Sequence, residues 1–329
     1  MPRLSRRHVL AASAGAVAAT ALPVAAQSGI TEKPNLAGQC FLVTGASSGF
    51  GYAGALHYAS LGATVVATMR NVPRPEAEAL LAAAKGLPGK VHVVEIDVLD
   101  DASVAAGTAE ALRLTGGAID VLVNNAGIGL SGPVEAQDME ATRLAFDTNV
   151  FGYQRMIRAV LPGMRARKSG LIVNISSQLG RVIAPYGGNY SATKFAVEAL
   201  SEQLAYELVP HGVDVLVIQP GGYPTNVWIN RNRYVNELKA RLTPDVASAY
   251  ATVVARMGTE DGSGRSADVN DVPRAIAEVA AMSAGKRPLR RAVHPGPKPQ
   301  EAINAVSAEV QQKWLGGSAM GPMVRAVYD

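Results

Sequence analysis

The chain has 329 residues, of which 48% are hydrophobic and 18% charged, so it holds enough apolar sequence for a sizeable globular core. The net charge is +4, but Arg3, Arg6 and Arg7 supply three of those charges, and no basic run with interleaved aromatics or nucleic-acid-binding motif occurs, which argues against a nucleic-acid partner. Cys40 is the single cysteine and the five histidines are scattered, so the sequence predicts neither an internal disulfide nor a metal site.

Residues 1–26 have the parts of a secretory signal peptide, with a basic start, an alanine-rich apolar stretch and small residues before Gln27. The run SRRHVL resembles a twin-arginine export motif, and Val24 and Ala26 fit the −3 and −1 cleavage positions. An uncleaved anchor is the alternative, but this stretch is weakly apolar, whereas a membrane span needs roughly 20 strongly apolar residues. We therefore expect a periplasmic protein without a stable membrane span after cleavage, or a cytoplasmic one if the signal does not function.

After a polar linker at 27–37, apolar runs alternate with helical segments. Strands are predicted at 39–44, 64–68, 91–96, 119–123, 171–175, 213–218 and 290–294. Helices are predicted up to about residue 60 and at 75–84, 102–115, 138–162, 190–208, 271–284 and 300–314. Because the strands are continuous apolar runs, we predict an α/β fold: a Rossmann-type, doubly wound parallel sheet of about seven strands with helices on both faces, in a single domain over 38–329.

A glycine-rich turn, TGASSGFG at 44–51, joins the first strand to the first helix. Such a turn lets backbone N–H groups approach a phosphate at the helix N-terminus, although a tight turn without a ligand is the alternative. The second strand ends at Met69-Arg70-Asn71, where NAD-binding folds place an acid on the ribose. Arg70 suits a 2′-phosphate and favours NADP, with a solvated arginine as the alternative.

Three side chains form a candidate proton-transfer site. Tyr190 and Lys194 are four residues apart on one helix face, and Ser177 lies thirteen residues before the tyrosine, just past a strand. A fixed ammonium lowers the pKa of a phenol, which is about 10 when free, and a serine hydroxyl can hold a carbonyl or alcohol oxygen. The trio predicts an alcohol–ketone interconversion with a separate hydride carrier, although the tyrosine–lysine spacing alone also occurs by chance.

Residues 222–266 interrupt the strand–helix alternation and contain Tyr223, Trp228, Tyr234 and Tyr250. An insertion at the carboxyl ends of parallel strands predicts a cover for a ligand pocket. Candidates for an apolar lining, which are also ordinary packing residues, are Gly129, Leu130, Leu179, Ile183 and Tyr223.

Six motifs occur in the order typical of one family. They are TGASSGFG at 44–51, Asp97-Val98, NNAG at 124–127, Asn149 in NVFG, Ser177 with Tyr190-x-x-x-Lys194, and PGGYPT at 220–225. From about 38 to 296 the chain therefore resembles the short-chain dehydrogenase/reductase family. The resemblance implies an NAD(P)-dependent oxidoreductase acting on a small-molecule secondary alcohol or ketone. A dinucleotide-binding sensor or partner protein without turnover is the rival function.

The resemblance also implies residue roles. Tyr190 is the general acid/base, Lys194 lowers its pKa and binds ribose hydroxyls, Ser177 positions the substrate oxygen, and Asn149 holds a relay water. The implied cofactor residues are Thr44, Gly45, Ser47, Ser48, Gly49, Phe50, Gly51, Arg70, Asp97, Val98, Asn125, Ala126, Gly127, Tyr190, Lys194, Pro220, Gly221 and Thr225. Many NADP-using members have a basic residue at the place of Ser48, so only Arg70 favours NADP(H) over NAD(H). Whether the protein forms a homo-oligomer is left open by the sequence.

Overall fold

The computed structural model describes residues 33–328, whose centre is a seven-stranded sheet. Its strands are β1 (Cys40–Val43), β2 (Thr64–Met69), β3 (Lys90–Glu95), β4 (Val121–Asn124), β5 (Gly170–Ile175), β6 (Val213–Pro220) and β7 (Arg290–Val293). All neighbouring strands pair in parallel, in the order β3-β2-β1-β4-β5-β6-β7. The order reverses between β1 and β4, which is where doubly wound sheets open a ligand crevice.

Twelve α-helices connect the strands of the described chain or extend beyond them. They are α1 (Gly49–Ser60), α2 (Pro75–Ala83), α3 (Asp101–Leu114), α4 (Met139–Phe146), α5 (Gly152–Arg167), α6 (Gly188–Leu208), α7 (Val227–Ala240), α8 (Pro244–Ala249), α9 (Ala251–Arg256), α10 (Asp271–Ala280), α11 (Gln300–Leu315) and α12 (Gly321–Tyr328). Residues from α1, α2 and α10 pack on one face of the sheet, and residues from α3, α5 and α6 pack on the other.

Side-chain alternation along the strands creates these two cores. In β1, Phe41 and Val43 face one core while Leu42 faces the other, and all three are buried. A strand that is apolar on both faces reads as a continuous hydrophobic run, which is why the sequence predicted a covered parallel sheet. The predicted Rossmann-type sheet with helices on both sides is confirmed.

The predicted continuous helix over 138–162 is wrong in one respect. A π-helical turn, Asp147–Phe151, separates α4 from α5 and contains the predicted site residue Asn149. Single π-helical turns widen a helix locally and often occur at functional sites. Propensity within the segment does not mark the turn, because the contacts that hold Asn149 come from other parts of the chain.

The insertion at 222–266 contains three helices that the sequence did not predict, α7, α8 and α9. Helix α7 buries Val235 and Leu238 against Leu130, Val254 and Met257, in a small core separate from the two that cover the sheet. Helix α12 was also not predicted. The remaining predicted elements are present, with ends that differ by a few residues.

The predicted signal peptide at 1–26 lies outside the described residues, as does most of the predicted linker. In the range 33–328, no helix combines the length and apolar character needed to cross a membrane.

Candidate active site

A cavity of about 500 Å³ opens at the carboxyl ends of the central strands, beneath α7. The predicted site residues in its wall are Gly45, Ser47, Ser48, Gly49, Phe50, Arg70, Asp97, Val98, Asn125, Ala126, Gly127, Ser177, Tyr190, Lys194, Pro220, Gly221 and Thr225. Thr44, Gly51 and Asn149 do not line the cavity themselves, but each lies against a residue that does. The structure thus brings the glycine-rich turn and the proton-transfer trio into one continuous space.

The glycine-rich turn is held tightly against the loop after β4. The Thr44 hydroxyl accepts hydrogen bonds from the amides of Asn125 (2.9 Å) and Ala126 (3.0 Å), and the Asn125 side chain donates to the Thr44 carbonyl (2.8 Å). Gly45 has φ +68°, and a Cβ there would lie 2.8 Å from the Ala126 Cα. A side chain at this position is therefore excluded by both conformation and space.

No capping side chain or acidic residue occupies the backbone amides at the N-terminus of α1. Ser48 at the N-cap makes no side-chain capping bond, and the first turn of the helix carries no acidic residue. A Cβ on Gly51 would lie 2.5 Å from the Gly45 carbonyl oxygen, so glycine is what allows the turn to fold back on the helix. Unsatisfied amides at the positive end of a helix dipole suit a phosphate group.

Ser177, Tyr190 and Lys194 meet at the end of β5. Ser177 and Tyr190 both line the cavity here, and the Ser177 hydroxyl accepts a hydrogen bond from the Leu179 amide (3.1 Å). The Lys194 Nζ donates to the Ile175 carbonyl (2.8 Å) and lies 5.7 Å from the centre of the Tyr190 ring. One helix face and one strand end therefore place a hydroxyl, a phenol and an ammonium around the same point.

Burial dominates the protonation of this trio. It raises the pKa of Tyr190, against a hydrogen bond from Ser177 and the charge of Arg231, which both lower it. Burial also lowers the pKa of Lys194 to about 8, against the charge of Glu198. The sequence predicted a lowered phenol pKa, whereas the direction in the structure is upward, because the cost of burying a phenolate outweighs the groups that favour it.

Tyr153 is a neighbour of this trio that sequence reasoning missed. Its hydroxyl donates to the same Ile175 carbonyl (3.0 Å), and the Lys194 Nζ lies 5.4 Å from the centre of its ring. Tyr153 comes from α5, and no spacing in the sequence connects that helix to Lys194. The ammonium is thus enclosed between two aromatic rings, an arrangement that favours a cation.

Asn149 is fully buried, and both ends of its side-chain amide make hydrogen bonds within the protein. Its amide oxygen accepts from the Ile128 amide (2.8 Å), and its amide nitrogen donates to the Ile128 carbonyl (2.9 Å) and the Thr193 hydroxyl (3.1 Å). Asn149 thereby joins the loop after β4 to the helix that carries Lys194. The relay water implied by the family resemblance stays a prediction.

Arginines from three segments gather at the far end of the cavity. Arg70 at the end of β2 and Arg233 on α7 both donate to the Tyr234 hydroxyl, at 3.3 and 2.9 Å, and Arg233 also stacks on the Tyr234 ring at 4.6 Å. Arg74, which precedes α2, lines the same end and bonds the Arg70 carbonyl (3.2 Å). Sequence reasoning found Arg70 but missed the other two, since Arg233 arrives from 163 residues further along.

Helix α7 lines both parts of the cavity: Arg233 and Tyr234 lie with Arg70, whereas Arg231 lies on the side of Tyr190, here called the covered end. Trp228 lines the cavity, and its indole nitrogen donates to the Tyr223 carbonyl (2.7 Å). Of the predicted apolar lining, Gly129, Leu130, Leu179 and Tyr223 lie in the wall. Ile183 does not, and its side chain is 69% exposed. The missed residue at this end is Arg231, one helical turn after Trp228.

The sequence is similar to short-chain dehydrogenases and reductases over more than half of its length. The sequence model for "short chain dehydrogenase" matches residues 39–236. The chain is similar to a 3-ketodihydrosphingosine reductase of Bacteroides thetaiotaomicron, 38% identical over 69% of this chain and 78% of that protein. It is also similar to human 17-beta-hydroxysteroid dehydrogenase type 1, 41% identical over 55% of each chain. The chain thus spans only about half of the latter relative.

Solved structures share the fold along most of the described chain. A short-chain dehydrogenase/reductase from Burkholderia phymatum in complex with NAD has a TM-score of 0.68 and 25% identity, over 85% of this chain and 96% of that one. A metagenomic short-chain oxidoreductase in complex with NADP has a TM-score of 0.62 and 28% identity, over 80% and 99%. Both dinucleotides thus occur among the structural neighbours.

Proposed function

The chain belongs to the short-chain dehydrogenase family of oxidoreductases, and from this premise we propose that it transfers a hydride between NADP(H) and a secondary alcohol or ketone. The single observation that carries the proposal is the convergence of Ser177, Tyr190 and Lys194 on a cavity whose other end is the glycine-rich turn. A sensor or partner protein without turnover needs no such trio, so that rival has no support from the site.

The cavity fits a nicotinamide dinucleotide. Gly45 packs so closely on Ala126 that a Cβ at this position would collide. Together with the uncapped amides of α1, this glycine turn forms a cradle that suits a pyrophosphate. Arg70, Arg74 and Arg233 would hold a 2′-phosphate, which supports NADP over NAD. When bound, the dinucleotide supplies or accepts the hydride.

The protein's own residues then move the proton. In the reducing direction, the hydroxyls of Ser177 and Tyr190 donate hydrogen bonds to the carbonyl oxygen of the substrate. As that oxygen gains negative charge, Tyr190 gives it the phenolic proton and becomes a phenolate. The Lys194 ammonium stabilises the phenolate, and its hydrogen bond to Ile175 keeps it fixed while the charge appears. Oxidation of an alcohol reverses these steps, and the Tyr190 phenolate then accepts the proton of the alcohol hydroxyl.

The substrate class follows from the covered end of the cavity. Leu130, Leu144, Leu179 and Val227 line it, and they favour a substrate with an apolar body. The relatives are named for sphingoid and steroid substrates, which have such bodies. We extend only the general class to this protein: a ketone or secondary alcohol on an apolar frame.

An activity screen tests the proposal. Purified protein is mixed with NADPH or NADH and with ketones of increasing apolar size, and nucleotide oxidation is followed by absorbance at constant protein concentration. We expect turnover with NADPH on at least one apolar ketone, and weaker turnover with NADH. Saturable NADPH binding with no turnover across the panel would instead support the non-catalytic rival.

The N-terminal sequence carries a separate proposal about location. The twin-arginine motif and the cleavage-site residues favour export to the periplasm in a folded state. That compartment has no obvious pool of free NADPH. We therefore propose that the protein is exported with its cofactor bound, retains it tightly, and recycles it in place by oxidising one substrate and reducing another.

A further inference from the structure

Besides Lys194, Arg231 is the basic side chain of the described cavity wall that lies outside the group of Arg70, Arg74 and Arg233. It projects from α7 against the loop after β4, where a Cβ on Gly129 would lie 3.0 Å from its Cγ and Cδ. The glycine therefore leaves the space that the arginine stem fills. The side chain is 16% exposed, so its charge lies in the cavity wall and not in bulk solvent.

The guanidinium is held in place but not saturated. It stacks on the Trp228 ring at 4.7 Å and makes one hydrogen bond, from Nη2 to Glu260 at 2.9 Å. Its Nε–H is buried and has no partner among residues 33–328. A guanidinium has five N–H donors, and Glu260 takes one of them from Nη2, while Nη1 is not among the buried atoms, so this group has unused capacity for a ligand.

Glu260 is not paired with Arg231 alone. The same carboxylate oxygen lies 3.7 Å from Arg265, whose guanidinium also stacks on the Trp228 ring, at 3.6 Å from its centre. Arg231 and Arg265 thus share the Glu260 carboxylate, and Asp261 also lies close enough to act on Arg265. Among the residues in the cavity wall, five are basic (Arg70, Arg74, Lys194, Arg231 and Arg233) and Asp97 alone is acidic.

The charge of Arg231 also reaches the reacting atoms. It lowers the pKa of Tyr190, although burial has the larger, opposite effect. Both side chains also line the same cavity, to which Tyr190 contributes the phenol that would face the oxygen to be reduced. Arg70, Arg74 and Arg233 are gathered at the other end, around Tyr234 or the Arg70 carbonyl.

Resting on the function proposed above, we propose that Arg231 binds a carboxylate on the substrate, so that the enzyme acts on oxo acids or hydroxy acids whose chain spans from the Tyr190 phenol to α7. The planar guanidinium matches a carboxylate with paired charge-assisted hydrogen bonds. The apolar residues between the two polar ends contact the chain. An uncharged ketone of the same shape offers the guanidinium no charged partner.

Matched substrate pairs test this inference. The series consists of (ω−1)-oxo acids, from 4-oxopentanoate to 10-oxoundecanoate, each beside its methyl ester and assayed with saturating NADPH. We expect kcat/KM to favour the acid over its ester by about 10- to 100-fold at the best chain length, the range of a hydrogen bond to a charged group. In Arg231→Gln this preference falls to within about threefold, and Arg231→Lys restores part of it.

Arg265→Gln is the matched control. It removes an equal charge from the same Trp228–Glu260 group, but Arg265 does not line the cavity, so the acid preference should persist. An acid-to-ester ratio that is the same in wild type and Arg231→Gln would overturn the inference and leave the proposed function intact. A ratio lost equally in both variants would also overturn it, since the effect would then belong to the charge of α7 as a whole.

Binding measured without turnover distinguishes failure of the carboxylate site from failure of the proposed function. In a Trp314→Phe background, Trp228 is the only tryptophan and reports directly on Arg231. We expect saturable quenching by the oxo acid, absent with its ester and absent in Arg231→Gln. If no ketone is turned over, the proposed function fails, and this titration still decides the carboxylate site: quenching lost in Arg231→Gln supports it, and no quenching overturns it.

Discussion

The Lys194 ammonium donates a 2.8 Å hydrogen bond to the carbonyl oxygen of Ile175, the last residue of β5. Ser177 follows two residues later, so the strand that positions the hydroxyl also fixes the ammonium. The lysine is 4% exposed and cannot satisfy its charge with water. This contact ties the end of β5 to the helix that carries Tyr190.

Tyr190→Phe should abolish proton transfer while keeping the ring. We expect the rate of ketone reduction to fall by at least ~10², the usual contribution of a positioned acid or base. The affinity for NADPH, measured by fluorescence titration, should change little. Tyr186→Phe is the matched control, because Tyr186 is exposed and does not line the cavity. Near-normal turnover in Tyr190→Phe would remove the phenol from the mechanism.

Arg70→Asp should reverse the cofactor preference. A carboxylate at the end of β2 repels a 2′-phosphate and can accept a hydrogen bond from a ribose hydroxyl. We expect the Kd for NADPH to rise by about 10- to 100-fold and the Kd for NADH to fall, as measured by titrating both nucleotides.

Two further variants show whether the effect belongs to this cluster of arginines. Arg233→Gln should weaken NADPH binding to a smaller extent, because Arg70 and Tyr234 remain. Arg113→Asp, an equal charge change on the exposed surface of α3, should leave both affinities as they are. If the NADPH-to-NADH ratio is the same in wild type and Arg70→Asp, then Arg70 is only a solvated side chain.

The rate of ketone reduction should fall as pH rises above about 8. Burial lowers the pKa of Lys194 to about that value, so the ammonium that stabilises the phenolate is lost on the alkaline side. Glu198→Gln removes the negative charge that holds this pKa up, and the alkaline limb should therefore move to lower pH. Glu207→Gln, an exposed change on the same helix, should not move it. The measurement is kcat against pH with saturating NADPH.

Gly51→Ala should damage the phosphate cradle. Its Cβ would lie 2.5 Å from the Gly45 carbonyl oxygen and 2.7 Å from the Asn125 side chain, and neither the backbone nor the anchored amide can move freely. We expect a loss of about 1–3 kcal/mol in the free energy of unfolding, together with at least tenfold weaker NADPH binding.

Gly163→Ala provides the comparison within another helix. At Gly163 the nearest atom to a new Cβ is the flexible end of Arg167, at 3.5 Å, so alanine should raise stability by up to about 1 kcal/mol. Thermal melts and nucleotide titrations on both variants decide the matter. Equal behaviour of the two would mean that the turn after β1 tolerates a side chain.

Export and cofactor retention are tested together. Replacing Arg6 and Arg7 with lysines should hold the protein in the cytoplasm, whereas the wild-type chain should appear in a periplasmic extract in its mature length. Denaturing the periplasmic protein should release about one equivalent of nicotinamide dinucleotide per chain, measured by chromatography. Wild-type protein found only in the cytoplasm, or periplasmic protein without nucleotide, would contradict the proposal.

The sequence by itself determined the fold class and identified most of the predicted residues that line the candidate site. Continuous apolar runs separated by helices specify a covered parallel sheet, and the turn at 44–51 marks where its first strand meets a helix. The spacing of Tyr190 and Lys194 places both on one helix face, since helical periodicity is a local property. These inferences succeed because each depends on residues close together in the chain.

The tertiary structure decided what depends on distant contacts. Ile128 and Thr193 hold the π-helical turn at Asn149 by hydrogen bonds. The pKa of Tyr190 is raised by burial, which no local sequence pattern reveals. Arg231 and Arg233 enter the cavity only because α7 packs its apolar face on the small core at Leu130. Packing of an insertion onto a sheet sets which of its charges face a site, and that packing is decided by residues far apart in sequence.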